Sequence, residues 1–227
     1  MKIIMPKRAG ILPFENRKQA GQALAKELTA YRGRKDVLVL ALPRGGVPIA
    51  FELADALQAP LDVLLVRKLG LPSQSELAFG AIAMGGVRVL DQEILDHYRP
   101  TPEEIAEVTA RETELLERRD RAYRAGSPPP VIANRVIILV DDGLATGSTM
   151  RAAIATLKFG QPARVIVATP VASVEGTAAI SAEADELVCL AQPQPFRSVG
   201  SWYRDFGQVS DREVHELLAA SAHRRVA

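Results

Sequence analysis

The sequence predicts an α/β fold in which a parallel sheet carries helices on both faces. Short apolar runs alternate with helical patterns along most of the 227 residues. The runs at 37–42 and 136–140 contain only apolar residues, which is typical of parallel strands that are buried on both faces. Each of these two runs leads through a glycine-containing loop into a helical pattern, which is the order of a strand–helix unit in such a sheet.

The first predicted element is an amphipathic helix over 17–31, in which Ala20, Leu24 and Leu28 share one face. The remaining elements follow in the alternating order that a parallel sheet requires. Strands are predicted at 37–42, 61–66, 136–140, 165–168 and 186–190, with a helix at 173–182 and a last helix after Ser210.

Residues from about 71 to about 130 interrupt this alternation and are predicted to form an insertion. Gly85 and Gly86 predict a hairpin turn between two short strands. Thr101-Pro102-Glu103-Glu104 is a capping box with proline at the first helical position, so it predicts a helix that continues to about Arg124. The apolar stripe of this helix is narrow. It suits packing over the hairpin or against a second subunit, and it equally suits a solvated surface helix.

Composition and charge favour one domain over 1–227 with a cytoplasmic location. The net charge is +1, which gives no sign of a surface for nucleic acid or membrane. No apolar stretch is long enough to span a bilayer, and no signal peptide is evident. The single cysteine, Cys189, lies in an apolar run and is expected to be a core residue. The three histidines lack the spacing of metal ligands.

The strongest functional signal follows the strand at 136–140. Asp141 and Asp142 come directly after it, and a loop of small and hydroxyl residues then leads into a helix. The carboxylates are expected at the carboxyl edge of the sheet, where open α/β folds bind ligands. The first turn of the helix offers free N–H groups and the positive end of a dipole, which suit a phosphate. The loop therefore suits a phosphate at one end, and hydroxyl groups or a metal at the other, as a sugar phosphate requires.

Two other interpretations of this loop are weaker. A plain strand–turn–helix junction explains an aspartate in the turn and a Ser or Thr cap, but it does not need two acids followed by Thr-Gly-Ser-Thr in fixed register. A nucleotide-binding P-loop is excluded because no lysine follows Gly147.

Two further loops carry basic residues. Pro43-Arg44-Gly45-Gly46 follows the strand at 37–42, and its arginine offers a planar fork of donors that suits phosphate. Arg67 and Lys68 follow the predicted strand at 61–66 and precede a polar stretch that contains Glu76. A glycine turn and a basic strand end are the plain alternatives for these two loops.

The run from Asp141 to Thr149 resembles the signature with which type I phosphoribosyltransferases bind 5-phosphoribosyl 1-diphosphate (PRPP). The Arg-Gly-Gly run resembles the pyrophosphate loop of that family, and Arg67 to Gly80 resembles the opening of its flexible catalytic loop. The resemblance implies that the two acids hold the ribose hydroxyls and that the loop after them holds the 5-phosphate. The substrate-binding residues that it implies are Gly45, Gly46, Asp141, Asp142, Gly143, Ala145, Thr146, Gly147, Ser148 and Thr149.

The resemblance also implies a reaction. The chain is expected to transfer 5-phosphoribosyl from PRPP to a nitrogen acceptor, a nucleobase in particular, with release of pyrophosphate. Arg44, Arg67 and Lys68 are expected to neutralise the leaving group. Hypoxanthine-guanine phosphoribosyltransferases carry an acid where this chain has Ala145, so Glu76 is a candidate substitute acid.

Mg²⁺ is the cofactor that the resemblance implies, and the likeness also favours a homodimer. PRPP is expected to hold most of the metal's coordination, with Asp141 or Asp142 as candidate contacts. No metal site made by the protein alone is expected, and neither is a nucleic-acid or membrane partner.

A small hood is predicted at about 192–227, where the strand–helix alternation ends. Trp202, Tyr203 and Phe206 cluster there, and in the family a variable hood holds the acceptor, often by aromatic stacking. The same aromatics equally suit anchors that bury the terminal segment against the core. In that case the acceptor pocket is expected around 13–17 or beneath the long charged helix.

Two other functions remain open from the sequence. The same fold also serves regulatory proteins that sense PRPP or nucleotides without catalysis. The near-neutral charge and the lack of a helix-turn-helix pattern make a DNA-binding regulator less favoured. An enzyme that uses the sugar-phosphate site for phosphorolysis or hydrolysis is the second alternative.

Overall fold

The computed structural model of the chain describes residues 2–4, 12–124 and 128–224. Its strands are β1 Lys2–Ile4, β2 Val37–Ala41, β3 Leu61–Val63, β4 Val66–Leu71, β5 Gln74–Ala83, β6 Arg88–Leu90, β7 Val136–Val140, β8 Arg164–Val171 and β9 Glu186–Ala191. Its α-helices are α1 Arg17–Glu27, α2 Gly46–Leu57, α3 Gln92–Tyr98, α4 Pro102–Arg124, α5 Ser148–Lys158, α6 Val174–Ile180 and α7 Asp211–Arg224. None of the helices in these ranges combines the length and apolar character that crossing a membrane requires.

Six of the strands form one sheet in the order β1-β9-β8-β7-β2-β3. Every neighbouring pair in this sheet is parallel, which confirms the predicted fold class. The chain runs outward from β2 to β3 on one side and from β7 to β9 on the other. The direction of winding therefore reverses between β2 and β7. Open α/β sheets bind ligands at such a switch point, beyond the carboxyl ends of the strands.

Alternate residues of the central strands pack against helices on opposite faces of the sheet. Val39 of β2 belongs to a core cluster that includes Leu53 of α2. Leu40, its neighbour, belongs to a second cluster that includes Ile154 of α5. Every residue of β2 and β7 is buried, which explains why these strands contain no polar residue.

The predicted strand at 61–66 was wrong in its extent. β3 ends at Val63, and Val66 begins β4, which belongs to a separate antiparallel sheet in the order β4-β5-β6. We call this three-stranded sheet the ribbon. Arg67 and Lys68 therefore lie within a ribbon strand and not in a loop at the end of a parallel strand. Gly85 and Gly86 form the predicted turn between β5 and β6, with φ values of +79° and +75° that glycine adopts without strain.

Helix α4 begins at the predicted capping box. Thr101 N donates to Glu104 Oε2 at 2.8 Å, and Glu104 N donates to Thr101 Oγ1 at 3.2 Å. The helix lies over the ribbon, against β4 and β5, and also contacts α7. At its end, the buried Arg124 donates from Nε to Asp62 Oδ1 at 3.1 Å and from Nη2 to Val63 O at 2.7 Å. The long helix thus ties the ribbon to the edge of the main sheet.

The hood contains an N-terminal segment in addition to the predicted C-terminal one. Phe14 N donates to Trp202 O at 2.9 Å, and Arg204 N donates to Phe14 O at 2.8 Å. Phe14 and Tyr203 are buried together in a small core cluster of their own. This pairing brings the first residue of α1, Arg17, to the carboxyl edge of the main sheet.

Candidate functional site

The loops after β2 and β7 meet at the switch point of the sheet. A Cβ atom on Gly45 would overlap the carboxylate of Asp142, and one on Gly46 would lie 2.6 Å from Val140 O. Both distances are shorter than any real side chain tolerates, so the loops approach this closely only because both residues are glycine. The structure therefore brings the Arg-Gly-Gly loop and the acid pair together, because β2 and β7 are neighbours in the sheet.

The loop from Ala145 to Gly147 presents backbone donors at the start of α5. Gly147 has φ +73°, the left-handed region that favours glycine, and directly precedes the helix. In the part of the chain that the structure describes, the N–H groups of Ala145, Thr146 and Gly147 have no acceptor. Unpaired N–H groups at a helix N-terminus form a site for an anion such as phosphate.

Hydrogen bonds from the junction between β8 and α6 hold this loop in place. Leu144 N donates to Val171 O at 2.9 Å, Ser173 N donates to Leu144 O at 2.8 Å, and Ser173 Oγ donates to Ala145 O. Within the loop, Thr146 Oγ1 donates to Ser148 Oγ at 3.2 Å. The hydroxyls and free N–H groups are therefore preorganised, while Thr146 and Thr149 stay exposed.

The two acids sit in different environments. Burial and then repulsion from Asp142 raise the pKa of Asp141 well above the ordinary aspartate value. Burial also raises the pKa of Asp142, but the Arg17 guanidinium opposes that rise. Asp142 N donates to Asp141 Oδ1 at 2.8 Å, which fixes the first carboxylate against the backbone of the second. A pair of adjacent buried carboxylates favours hydroxyl donors or a cation as ligands, because either relieves the buried negative charge.

Arg17 is a site residue that the sequence did not reveal. Its Nε and Nη2 donate to Asp142 Oδ2 at 3.0 and 2.9 Å, and its Nη1 donates to Gly207 O at 2.8 Å. Its guanidinium lies 3.8 Å from the centre of the Phe206 ring. Asn16 caps α1 by accepting from Gln19 N, which fixes Arg17 as the first helical residue. That cap is the local signal, but nothing in the sequence indicates a partner 125 residues away.

The ribbon places Lys68 near the start of α5 and Arg67 against α4. Lys68 Nζ lies 3.5 Å from Ser148 Oγ, at the first residue of α5, which directly follows the loop from Ala145 to Gly147. Arg67 donates from Nε to Glu112 Oε2 of α4 at 2.8 Å, and its Nη2 lies 2.6 Å from the same oxygen. Arg67 is therefore oriented by α4, and Lys68 is aimed at the loop that is expected to hold the 5-phosphate.

Arg44 lies in a small network with α4 and α7. Its Nη1 is 3.7 Å from Asp211 Oδ1, which also accepts from Tyr123 Oη at 2.7 Å. Burial, followed by the hydrogen bond to Asp211, raises the pKa of Tyr123 to about 12, so this phenol stays a donor at neutral pH. The Pro43–Arg44 peptide bond is cis.

A cavity of about 30 Å³ separates the Arg44 loop from the ribbon and α4. Arg119 of α4 lines it together with Arg67 and Thr149. Arg119 is a second residue near the site that the sequence did not point to, because α4 contains several arginines and its sequence does not distinguish this one. The rest of the lining is apolar or backbone and consists of Leu42, Pro43, Leu64, Leu65, Val66 and Leu116.

Glu76, the candidate substitute acid, lies on β5 of the ribbon. Its side chain lies outside the part of the chain that the structure describes, so its role stays a prediction.

The hood aromatics differ in what they contact. Tyr203 is buried, packs 5.7 Å from Phe14 and 5.0 Å from Phe206 between ring centres, and donates to Asp142 O at 2.6 Å. Phe206 carries the Arg17 guanidinium on its ring. Trp202 is partly buried, and its ring centre lies 6.4 Å from that of Phe196. Tyr203 therefore anchors the hood to the acid pair, and stacking on an acceptor stays a prediction for Trp202 and Phe206.

A polar pocket of about 310 Å³ opens between the hood and the start of α2. It is lined by Asn16, Arg17, Lys18, Pro48, Asp205, Gly207, Gln208, Val209 and Glu213. Arg17 thus borders both this pocket and the acid pair. The described residues contain no group of three or more His, Cys, Asp or Glu side chains that would hold a metal ion. Asp141 and Asp142 are nevertheless hard oxygen ligands of the type that Mg²⁺ prefers.

Taken together, the doubly wound sheet, the acid pair and the loop with unpaired N–H groups place acceptors for hydroxyls and donors for an anion at one switch point. A family model described as "Phosphoribosyl transferase domain" matches residues 9–200. Because this match covers most of the chain, the chain belongs to the phosphoribosyl transferase domain family. The resemblance seen in the loop at 141–149 is thereby confirmed.

Two curated relatives come from Mycobacterium tuberculosis. They are named "Putative phosphoribosyl transferase MT0597" and "Putative phosphoribosyl transferase Rv0571c", and each is 44% identical to this chain over 211 residues. The match covers 93% of this chain and 47% of each relative. The chain therefore spans about half the length of the curated relatives that it matches.

Solved structures give the same result for the fold. TT1426 from Thermus thermophilus is 41% identical with a TM-score of 0.83, covering 91% of this chain and 98% of that one. The AQ2163 protein from Aquifex aeolicus is 12% identical with a TM-score of 0.53, covering 96% and 98%. At that lower identity the likeness shows the fold alone.

Proposed function

We propose that the chain is a phosphoribosyltransferase that uses PRPP as donor and a nitrogenous base as acceptor. One observation carries this proposal. The acid pair Asp141 and Asp142 and the free N–H groups of Ala145, Thr146 and Gly147 lie on one rigid loop at the switch point of the sheet. Acceptors for hydroxyls at one end and donors for a phosphate at the other match the two ends of a ribose 5-phosphate unit.

The phosphate end of the site combines three kinds of donor. Backbone N–H groups of 145–147 point from the helix start, Thr146 and Ser148 add hydroxyls, and Lys68 adds a positive charge 3.5 Å from Ser148 Oγ. Charge-assisted hydrogen bonds of this type are roughly twice as strong as neutral ones. In this proposal Lys68 contacts the 5-phosphate as well as the leaving group, which extends the role expected from the sequence.

The leaving-group end is assigned to the arginines that surround the Arg44 loop. Arg44 and Arg67 are each held by one carboxylate, Asp211 and Glu112, and are preoriented without being buried. As pyrophosphate leaves, negative charge builds on its oxygens, and fixed guanidinium groups stabilise that charge without reorganising. Gly45 and Gly46 let the Arg44 loop approach the acid pair closely, which places the leaving-group side next to the ribose side.

Positive charge builds on the sugar in the same step, because the transition state of such a transfer resembles an oxocarbenium ion. Asp141 and Asp142 then face a sugar that is more positive than in the ground state, so their attraction grows at the transition state. Bound Mg²⁺ would supply Lewis-acid neutralisation of the diphosphate, with Asp141 and Asp142 as the candidate protein contacts. The ribbon contacts the site through Lys68 and the hood contacts it through Tyr203, and limiting the access of water from these two sides would favour transfer over hydrolysis.

The test is a panel of purine and pyrimidine bases, each mixed with PRPP, Mg²⁺ and the protein, with pyrophosphate release as the readout. The proposal expects release that depends on one class of base and is lost in a folded variant with Asp141→Asn and Asp142→Asn. Release that does not need a base would instead indicate hydrolysis. PRPP binding without release for any base would favour the regulatory alternative, and no PRPP binding at all would overturn the assignment.

A further inference from the structure

We propose that Arg17 is a positioning residue that couples the ribose side of the site to the hood. The inference rests on the proposed function, since it assumes that Asp142 receives a ribose hydroxyl. Arg17 contacts both sides at once: it donates to Asp142 Oδ2 through two nitrogens and to Gly207 O of the hood through a third.

The geometry of the pair leaves Asp142 able to bind a sugar. Both Nε and Nη2 of Arg17 donate to the same oxygen of Asp142, Oδ2, at 3.0 and 2.9 Å. Among the described residues, no donor is bonded to the other oxygen, Oδ1. Arg17 therefore fixes the orientation of the carboxylate and leaves one of its oxygens to accept a hydroxyl. Gly45 packs beside Oδ2 and confines the carboxylate from the other side.

Arg17 is held too firmly to act as a mobile gate. Its side chain is 11% exposed, and that of Asp142 is 16% exposed. Its guanidinium lies 3.8 Å from the centre of the Phe206 ring, where cation–π attraction adds to the three hydrogen bonds. A guanidinium that is fixed by a ring, a carbonyl and a carboxylate is preorganised. It therefore orients the Asp142 carboxylate at little entropic cost.

The contacts of Phe206 extend this network to Trp202. The ring of Phe206 lies against the turn Val199–Trp202, where a Cβ atom on Gly200 would be 2.8 Å from Phe206 Cδ1. A change in the charge or position of Asp142 is therefore transmitted through Arg17 and Phe206 to the turn that carries the single tryptophan. The same guanidinium lines the polar pocket beside the hood, so the pocket is expected to respond when the ribose site fills.

The chain offers variants that separate this role from simple stability. Arg17→Gln removes the charge and the fork, whereas Arg17→Lys keeps the charge and loses the planar contact with Phe206. Arg204→Gln is a matched control in the same hood, because the Arg204 side chain pairs with Glu15 at the surface, at 3.0 Å, and both side chains are more than half exposed. Asp142→Asn, alone and combined with Arg17→Gln, tests without any ligand whether Arg17 couples Asp142 to the hood.

In the experiment, ribose 5-phosphate is titrated into each folded protein in the presence of Mg²⁺. Calorimetry measures the heat of binding, and a parallel titration measures the fluorescence emission of Trp202. The inference expects binding with an emission change in the unaltered protein and in Arg204→Gln. Arg17→Gln should bind about tenfold more weakly and lose the emission change, and Arg17→Lys should recover part of the affinity. Unaltered affinity and emission change in folded Arg17→Gln would overturn the inference.

A ligand-free comparison keeps this outcome distinct from that of the proposed function. Asp142→Asn should shift Trp202 emission when Arg17 is present and should not shift it in the Arg17→Gln background. An equal shift in both backgrounds would show that Arg17 does not couple the two sides. If the unaltered protein bound no ribose 5-phosphate, the proposed function would fail, and this emission comparison would still decide whether Arg17 is the link.

Discussion

Gly45 packs directly against the carboxylate of Asp142, so closely that a Cβ atom on residue 45 would overlap Asp142 Oδ2. The loop after β2 and the loop after β7 are therefore in direct van der Waals contact at this point. One loop carries Arg44 and the other carries the acid pair, and neither can shift without moving the other. In the proposed function, this contact fixes the leaving-group side of the site relative to the ribose side.

The first prediction concerns this contact. Gly45→Ala should displace the Asp142 carboxylate from Arg17 and weaken ribose 5-phosphate binding by about tenfold or more, because the added Cβ atom would overlap the oxygen that Arg17 holds. Overpacking of this kind should also lower the free energy of unfolding by about 1–3 kcal/mol. Urea unfolding and calorimetric titration measure the two effects. Normal affinity in the variant would show that the carboxylate does not bind the sugar.

The second prediction concerns pH and Asp141. Because its pKa is raised in the folded state, the unfolded chain loses this proton at a lower pH than the folded chain does, so ionisation destabilises the fold as pH rises. Asp141→Asn removes that penalty. We expect the variant to have a higher melting temperature than the unaltered protein at pH 7–8, by roughly 2–4 °C for each kcal/mol of penalty removed, and to lose this advantage at about pH 3, below the ordinary aspartate pKa of about 3.9. A difference in melting temperature that is the same at both pH values would contradict the account.

The central strands of the main sheet could be predicted from the sequence because they carry a strong local signal, whereas the edge strand β1 Lys2–Ile4 was not predicted. Val37–Ala41 and Val136–Val140 are buried at every position, and that burial appears directly as unbroken apolar runs. The end of β3 gave no such signal, since Leu64 and Leu65 continue the apolar run and are buried although they lie outside any strand. The hairpin of β5 and β6 was predicted, but the first ribbon strand, β4, was missed for this reason, and Arg67 and Lys68 were placed in a loop instead of on that strand.

The third prediction concerns the leaving group. Arg67→Ala should lower turnover by roughly 10²–10³, the usual cost of losing one preorganised electrostatic contact. Ribose 5-phosphate affinity should hardly change, because that ligand lacks the diphosphate. Arg88→Ala is a matched control, since it removes an exposed arginine from β6 of the same ribbon. If Arg67→Ala weakened ribose 5-phosphate binding as much as PRPP binding, Arg67 would serve the 5-phosphate or the fold.

The fourth prediction separates the hood aromatics. Tyr203→Phe removes the hydrogen bond to Asp142 O and should cost about 0.5–1.5 kcal/mol of stability, with little change in acceptor KM. Trp202→Leu should raise acceptor KM while PRPP affinity stays nearly constant, since base–aromatic stacking is worth about 1–3 kcal/mol. Thermal melting and acceptor kinetics distinguish the two outcomes. A Trp202→Leu variant that only melts earlier would make this residue an anchor as well.

The candidate site was predictable in part. Asp141 to Thr149 and Arg44 to Gly46 are contiguous runs, and parallel strands bring their ends to one edge of the sheet, so pattern and topology suffice. Arg17 and Arg119 were missed because each reaches the site from a helix that is distant in sequence. The position of Arg17 depends on the backbone pairing of Phe14 with Trp202, and the sequence around neither residue indicates that pairing. Arg119 depends on the way α4 lies over the ribbon.

The central claim is that the loop at 141–149 binds the ribose 5-phosphate part of PRPP, and calorimetric titration of PRPP with Mg²⁺ tests it most directly. The unaltered protein should bind PRPP, and a folded variant with Asp141→Asn and Asp142→Asn should bind it far more weakly, because each amide loses a charge-assisted acceptor for a ribose hydroxyl. Equal affinity in the two proteins would contradict the assignment of the sugar site.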